Sequence, residues 1–139
     1  NFQKIFIGKG KILKKGKRIA FLNLGTRLKK VLEINEMIKN HHKLNCTVVD
    51  MRFAKPIDTK LIQNLNKTHD IFITIEENAI GGFSSQVNDF LINKLNKTPN
   101  ILNFFMKDEF IDQSDIDDQY NKSGISKELI FDKVSMLLK

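Results

Sequence analysis

The sequence predicts a three-layer α/β/α domain built on a five-stranded, mostly parallel sheet. Strands and helices alternate along the 139 residues, which is the order expected of parallel strands joined by helical crossovers. The most apolar strand, with Ile19-Ala20-Phe21-Leu22 at its centre, has no polar face, as expected where helices cover both sides of a sheet. A single domain with 41% hydrophobic residues can bury a sizeable core.

The first third of the chain supplies a basic arm, two strands and a helix. The arm covers Asn1–Lys17 and includes a short first strand at Lys11–Lys14. A second strand is predicted over Arg18–Leu24, because an apolar run there is bounded by glycines. Thr26 is expected to cap the following helix. The apolar stripe of that helix consists of Leu28, Val31, Leu32 and Ile38.

The middle of the chain reads as strand, helix, strand. Cys46–Asp50 is predicted to be the third strand. Asp58 is a good N-cap for the next helix, and Ile57 and Ile62 stand at the spacing of a hydrophobic staple. Asp70–Ile75 is predicted to be the fourth strand.

The last third contains a glycine turn followed by helix, strand and helix. Gly81-Gly82 interrupts the chain, and a helix is predicted from about Ser84. Asn100–Phe104 is predicted to be the last strand, and a final helix is predicted from about Ser126. Neither a repeat nor a low-complexity tract is apparent, so residues 1–139 are expected to form one domain.

The charge distribution favours a solvated surface over a nucleic-acid site. The net charge is +7, but 20 of the 23 basic residues are lysines, whereas base-reading proteins favour arginine. Six lysines lie in the Asn1–Lys17 arm and six acids lie between Asp108 and Asp118. We therefore expect neither a nucleic-acid partner nor, because no apolar run approaches a membrane span, a membrane partner. The first residue is Asn1 and no signal peptide is recognisable, which suggests a fragment or a processed product.

The residues that most often form catalytic or metal sites are sparse. Cys46, the only cysteine, lies in an apolar run and is expected to be buried and structural. His41, His42 and His69 lack further ligands at zinc spacing. The Asp112–Asp117 segment has Asp117 where a calcium loop needs glycine. No metal site is predicted.

Glu76 and Glu77 follow the fourth strand, at the carboxyl edge where open α/β sheets bind ligands. Side chains alternate in direction there, so one carboxylate is expected to face the crevice. Paired acid–base chemistry needs two carboxylates on one substrate. We therefore favour a structural role in which these residues accept hydrogen bonds from the Gly81-Gly82 turn. Leu24-Gly25-Thr26 lacks the three spaced glycines of a dinucleotide site and reads as a capped turn.

Gly81-Gly82-Phe83-Ser84-Ser85 is the sharpest local signal in the sequence. Two glycines before a helix permit positive φ and close approach of the backbone to another group. Three interpretations remain open at this point: a tight turn, a nest for an anion, or an interface for another chain.

Two segments resemble the C-terminal domain of transketolase-like, thiamine-diphosphate-dependent enzymes. They are Val48–Asp58 and Thr74–Val87. The Arg52-Phe53-Ala54-Lys55-Pro56 core resembles the 1-deoxy-D-xylulose-5-phosphate synthase family in particular. The β subunits of 2-oxoacid dehydrogenases share the Glu-Glu and Gly-Gly features. The chain departs from the synthase pattern at Met106-Lys107-Asp108, where Leu-Pro-Asp is common, and at Ser114, near which a glycine is usual.

The resemblance implies an enzyme whose chemistry lies outside this chain. Enzymes of that family condense pyruvate with glyceraldehyde 3-phosphate and release carbon dioxide, using thiamine diphosphate held with Mg²⁺ in two preceding domains. No cofactor, metal or catalytic residue is therefore expected in this chain, and alone it is expected to be inactive. The residues expected to support structure or an interface are Arg52, Glu76, Glu77, Gly81 and Gly82.

The resemblance also carries expectations about architecture and assembly. The first strand should run antiparallel to the others, and the domain should support a homodimer and contact the preceding domains of its own chain. A bacterial cytoplasm or a plastid stroma is the expected location. Alternatives are the C-terminal domain of a 2-oxoacid dehydrogenase β subunit or of transketolase, and a stand-alone module that binds an anion or a nucleic acid.

Overall fold

A five-stranded mixed sheet forms the centre of the protein. The computed structural model describes residues 4–139, so residues 1–3 of the predicted arm lie outside the described residues. The strand order is β1-β3-β2-β4-β5. Strand β1 runs antiparallel to β3 and the other pairs are parallel, which confirms the predicted fold class. The strands are β1 Lys11–Lys14, β2 Arg18–Asn23, β3 Thr47–Asp50, β4 His69–Ile75 and β5 Asn100–Phe104.

Helices cover both faces of the sheet. The helices are α1 Leu28–His42, α2 Thr59–Leu65, α3 Phe83–Asn93, α4 Ile116–Ser123 and α5 Lys127–Leu137. On one face α1, α4 and α5 pack over Ile19 and Phe21 of β2, and on the other α2 and α3 pack over Ala20 and Leu22. Successive residues of a strand point to opposite faces, so β2 supplies both halves of the core. This explains why its sequence has no polar side.

Helix α4 was not predicted, because its segment has no apolar stripe. Its ends nevertheless carry ordinary signals. Asp115 at the N-cap accepts a hydrogen bond from the Asp118 N–H at 3.0 Å, and Gly124 ends the helix at φ 83°. The acids Asp117 and Asp118 lie in its first turn, where they suit the helix dipole. The acidic segment is thus partly an ordered helix start.

Of the two predicted helix caps, Asp58 is confirmed and Thr26 is wrong. Asp58 and Ser126 accept hydrogen bonds from the Leu61 and Leu129 N–H groups, at 3.1 and 3.4 Å. Thr26 does not cap α1. The N-cap residue is Arg27, which makes no side-chain capping hydrogen bond. The Thr26 hydroxyl instead donates a hydrogen bond to the Glu77 carboxylate at 2.6 Å.

The chain enters the domain at the carboxyl edge of the sheet. Lys11, the first residue of β1, pairs with Asp50, the last residue of β3. Because β1 is antiparallel, its beginning lies beside the ends of the four parallel strands. The arm before it packs against the loop after β3, where Gly10 donates its N–H to Asp58 at 3.2 Å.

Within residues 4–139, the structure contains no helix with the length and apolar character needed to cross a bilayer.

Candidate functional site

The topological switch point of the sheet lies between β2 and β4. Helix α1 leaves β2 toward one face and α3 leaves β4 toward the other, and such divergent exits open the crevice in which open α/β sheets bind ligands. Leu24 donates its N–H to the Ile75 carbonyl at 2.9 Å and holds the two exits together. The buried side chain of Asn23 donates to the Gly25 carbonyl at 2.9 Å. The crevice therefore has a fixed floor.

Glu76 occupies the N-terminus of α3. Its side chain is fully buried, and it accepts hydrogen bonds from the Phe83 N–H at 2.6 Å and the Ser84 hydroxyl at 3.1 Å. The N-cap residue of α3, Gly82, offers no side chain to do this. A helix N-terminus attracts an anion because its first N–H groups have no partner within the helix. The Glu76 carboxylate stands where an external anion would bind.

The glycines of the following turn allow that arrangement in different ways. Gly81 has φ 98°, a conformation that residues with a β-carbon rarely adopt, and a Cβ there would meet no atom within 4 Å. Gly82 has φ −83°, outside the left-handed region that favours glycine. A Cβ on Gly82 would lie 2.9 Å from Glu76 Oε1. Gly81 thus makes the turn possible, and Gly82 leaves room for the carboxylate.

Glu77 ties three separate segments together. It accepts hydrogen bonds from the hydroxyls of Thr26 and Tyr120, each at 2.6 Å. The guanidinium of Arg27 stacks over the Tyr120 ring, 3.8 Å from its centroid. Glu77 is separated from Thr26 by 51 residues and from Tyr120 by 43, so no local pattern in the sequence could have paired them. The two carboxylates point to different partners, as the alternation of side chains predicted.

Arg52 follows β3 at the same edge of the sheet. It adopts φ 62°, which is uncommon for a residue with a side chain, and its Nε lies 3.5 Å from the Asp50 carboxylate. Its side chain is half-buried and anchored to its own strand. The structure therefore places Arg52 on the carboxyl edge but brings it into no hydrogen bond with Glu76 or Glu77 among the described residues.

The remaining candidate nucleophiles and ligands are embedded in the fold. Burial raises the pKa of the Cys46 thiol to about 12, so the thiolate is absent at neutral pH. His69 is buried between the Thr47 hydroxyl at 2.8 Å and the Leu65 carbonyl at 3.0 Å. Across residues 4–139, no group of three or more His, Cys, Asp or Glu side chains is placed to hold a metal ion.

A largely apolar hollow opens beside Glu77 on the carboxyl edge. It has a volume of about 470 Å³ and is lined by Glu77, Ala79 and the segment 106–111 that follows β5. Phe110 of this lining is fully exposed, and Ile80, which follows Ala79, is largely exposed. On the arm that enters at this edge, Ile7 is 79% exposed. Exposed apolar side chains of this size on three segments at one edge of the sheet are typical of a surface that another structure covers.

Comparison with protein families gives a match over most of the chain. Residues 8–130 match the family model described as "Transketolase, C-terminal domain". Curated relatives include the 1-deoxy-D-xylulose-5-phosphate synthases of Psychromonas ingrahamii, 41% identical over 91% of this chain, and Haemophilus influenzae, 40% identical over 92%. The enzyme of the same name from Proteus mirabilis is 48% identical over 77% of this chain. The chain spans about a fifth of the length of these relatives, 16–20%.

Solved structures show the same fold. A chain of a split-gene transketolase, described as an inactive β4 tetramer, superposes with a TM-score of 0.85 at 27% identity, over 98% of this chain and 43% of the other. Transketolase from Pichia stipitis, in its R525L form, superposes with a TM-score of 0.65 at 9% identity, over 94% of this chain and 18% of that one. The second likeness bears on the fold alone.

Proposed function

Since the chain belongs to the transketolase C-terminal domain family, we propose that it is the C-terminal domain of a 1-deoxy-D-xylulose-5-phosphate synthase. The observation that carries the proposal is the 40–48% identity to curated relatives of that name over most of the chain. The whole enzyme would condense pyruvate with glyceraldehyde 3-phosphate, with loss of carbon dioxide. The relatives are bacterial, so we place the enzyme in a bacterial cytoplasm.

The role we assign to this domain is structural. Its crevice holds its own side chains: Glu76 fills the N-terminus of α3, and Glu77 binds Thr26 and Tyr120. A general acid or base must be able to reach a proton of the substrate. The buried carboxylate of Glu76 is instead committed to two donors of its own domain. Both acids, together with Gly81 and Gly82, therefore act as supports of the carboxyl edge.

We infer that the described residues of this chain do not hold thiamine diphosphate and Mg²⁺. Mg²⁺ bound with a diphosphate needs oxygen ligands that converge on one point. The described residues contain no acidic, histidine or cysteine group of that kind, and the deepest carboxylate, Glu76, already serves α3. We assign the binding of both groups to the preceding domains, and we derive no chemical step from them here.

The carboxyl edge is the surface that we assign to the rest of the enzyme. The arm enters there, and the exposed Ile7, Ile80 and Phe110 lie on segments at that edge. Because relatives are about five times longer than this chain, a large preceding part is available to cover the surface. Arg52 lies on the same edge and is assigned to this contact. A homodimer of the full-length enzyme forms part of the same proposal.

The proposal is tested by comparing the chain with the longer protein of which it is the end. The longer protein should form 1-deoxy-D-xylulose 5-phosphate from pyruvate and glyceraldehyde 3-phosphate when thiamine diphosphate and Mg²⁺ are supplied. The 139-residue chain should form none, and calorimetric titration should show no tight binding of thiamine diphosphate to it. Micromolar binding to the isolated chain would overturn the structural assignment, and a longer protein with a different condensation product would overturn the proposed enzyme.

A further inference from the structure

A polar cavity lies where α1, α4 and α5 meet, next to the Tyr120 side chain that binds Glu77. It has a volume of about 360 Å³ and is lined by Arg27, Lys30, Asp117, Tyr120, Asn121, Ser126, Lys127 and Glu128. Neither the family resemblance nor the proposed structural role of the carboxyl edge gives it a purpose. Its most unusual member is Arg27.

Arg27 is a buried cation that lacks a carboxylate partner. The residue is 5% exposed, and no carboxylate of the described residues lies within the 4.0 Å of an ion pair. A guanidinium has five N–H donors. The described residues provide one hydrogen bond, from Nη2 to the Ile125 carbonyl at 3.0 Å, and buried Nε has no partner among them. Buried charges in proteins are normally paired, so this group is short of acceptors.

Two parallel helices direct their N-termini at the same cavity. Arg27, just before α1, contacts Ile125, just before α5, and at the far ends His42 Nε2 lies 2.9 Å from Ser135 Oγ. Helix α1 begins without a side-chain cap and has no acid in its first turn. The N-cap of α5, Ser126, satisfies the Leu129 N–H alone. The positive ends of both helix dipoles thus lie at the cavity.

The basic groups of the cavity lie deeper than its acidic groups. Arg27 is buried, and the Lys127 and Lys30 side chains are 29% and 37% exposed. Lys127 and Lys30 contact Glu33, at 3.1 and 3.6 Å, and Lys127 also lies 4.0 Å from Glu128. Each ammonium group has three donors, which is more than these contacts use. Asp117 and Glu128, the acids of the lining, are exposed at the rim, where solvent weakens their repulsion of an anion.

We propose that this cavity binds a small phosphate-type oxyanion, with Arg27 at its base and Lys30 and Lys127 at its sides. Donors converge from two helix starts and three side chains, and a tetrahedral group with several oxygens accepts from such directions better than a planar carboxylate does. The volume exceeds what a single phosphate group needs, and Asp117 and Glu128 can accept hydrogen bonds from hydroxyls on the remainder of the ligand. A small phosphate monoester that carries hydroxyl groups fits this arrangement.

The test is a titration of the 139-residue chain, whose helices close both faces of its own sheet, with inorganic phosphate at constant ionic strength. Nitrogen–proton correlation spectra report on the Arg27 Nε–H directly. We expect a saturable shift of that signal in the millimolar range and a clearly weaker response to acetate. A stronger response to acetate than to phosphate, or the same response to chloride, would overturn the proposal.

Substitutions separate this site from a general effect of positive charge. Arg27→Lys should weaken phosphate binding about tenfold or more, because charge-assisted hydrogen bonds are lost. Lys30→Gln should weaken it about threefold or more. Lys39→Gln, the same change farther along α1, should leave the affinity unaltered. If Arg27→Lys fails to fold, Lys30→Gln and Lys39→Gln still test the proposal. Equal phosphate affinities of these two variants would refute the site.

Discussion

The role of Glu76 can be tested by Glu76→Gln, which removes the charge but almost preserves the shape. A hydrogen bond to a charged group stabilises a protein by about 1.5–3 kcal/mol, and one between neutral groups by about 1 kcal/mol. The hydrogen bond from the Phe83 N–H should therefore contribute about 0.5–2 kcal/mol less in the variant. Loss of a negative charge at the start of α3 adds about 0.3–1 kcal/mol. Because Glu76 is fully buried, water cannot compensate for the weaker hydrogen bond or for the lost charge. Together these effects predict a destabilisation of about 1–3 kcal/mol.

The assay is thermal and urea-induced unfolding of the chain. For a domain of this size about 3 °C of Tm corresponds to 1 kcal/mol, so Tm should fall by about 3–9 °C. The matched control is Glu36→Gln, since Glu36 is exposed and lies 3.9 Å from Lys39 on the surface of α1. That control should change stability by no more than about 0.5 kcal/mol. If both variants unfold at the wild-type midpoint, Glu76 does not support α3.

Four further predictions rest on the same structure. Gly82→Val should destabilise the chain by about 1–3 kcal/mol, because the valine Cβ would press on the Glu76 carboxylate. In a double-mutant cycle with Glu76→Gln, the two losses of stability should not add. Strict additivity would show that the two side chains do not share a contact. Gly81→Ala should cost about 1–3 kcal/mol through backbone strain alone, without coupling to Glu76, as urea unfolding would measure. Cys46 should resist alkylation at pH 8 until the chain unfolds, because burial raises its pKa to about 12, and labelling of the native chain at the unfolded rate would contradict this. Phe110→Ser should leave the Tm of the chain unchanged but weaken assembly of the longer protein in sedimentation, and unaltered assembly would remove Phe110 from the interface.

The strands were predictable because burial on both faces leaves a strong mark on composition. Apolar runs such as Ile19–Leu22 and Ile71–Ile75 predict strands, and the structure pairs these two in parallel. The cap at Asp58 was predictable for a similar reason, since a capping side chain acts on residues close to it in sequence. The direction of β1 did not follow from its own residues and came from family resemblance.

Long-range polar contacts were beyond what the sequence could predict. Thr26 has the residue type of an N-cap, yet its hydroxyl is used by Glu77, which is distant in sequence. Arg27 gave no sign of burial, because its partner Tyr120 lies on α4, a helix whose acidic segment lacks an apolar stripe. The pairing of Asp115 with Gly124 as start and end signals could have identified that helix.

The carboxyl edge illustrates how the two kinds of information combine. The sequence placed Glu76 and Glu77 at the end of a strand and favoured hydrogen bonds to the glycine turn. The structure shows that Glu76 accepts from Phe83 and Ser84, the residues just after that turn. For Glu77 the prediction is wrong, because its donors are the hydroxyls of Thr26 and Tyr120. Gly82 precedes Phe83 and Ser84 because the Glu76 carboxylate lies too close to leave room for a Cβ. That contact depends on side-chain positions, which the sequence alone does not give.

The central claim, that the carboxylates of this edge support structure and take no part in chemistry, is tested most directly by the turnover of the full-length enzyme carrying Glu76→Gln or Glu77→Gln. Formation of 1-deoxy-D-xylulose 5-phosphate should be measured per correctly assembled molecule, with assembly determined by sedimentation on the same samples. We predict that kcat per assembled enzyme and the KM values for pyruvate and glyceraldehyde 3-phosphate match those of the wild type, with any lost activity explained by lost assembly. A fully assembled variant whose kcat has fallen about a hundredfold, the size of a lost general acid or base, would contradict the account.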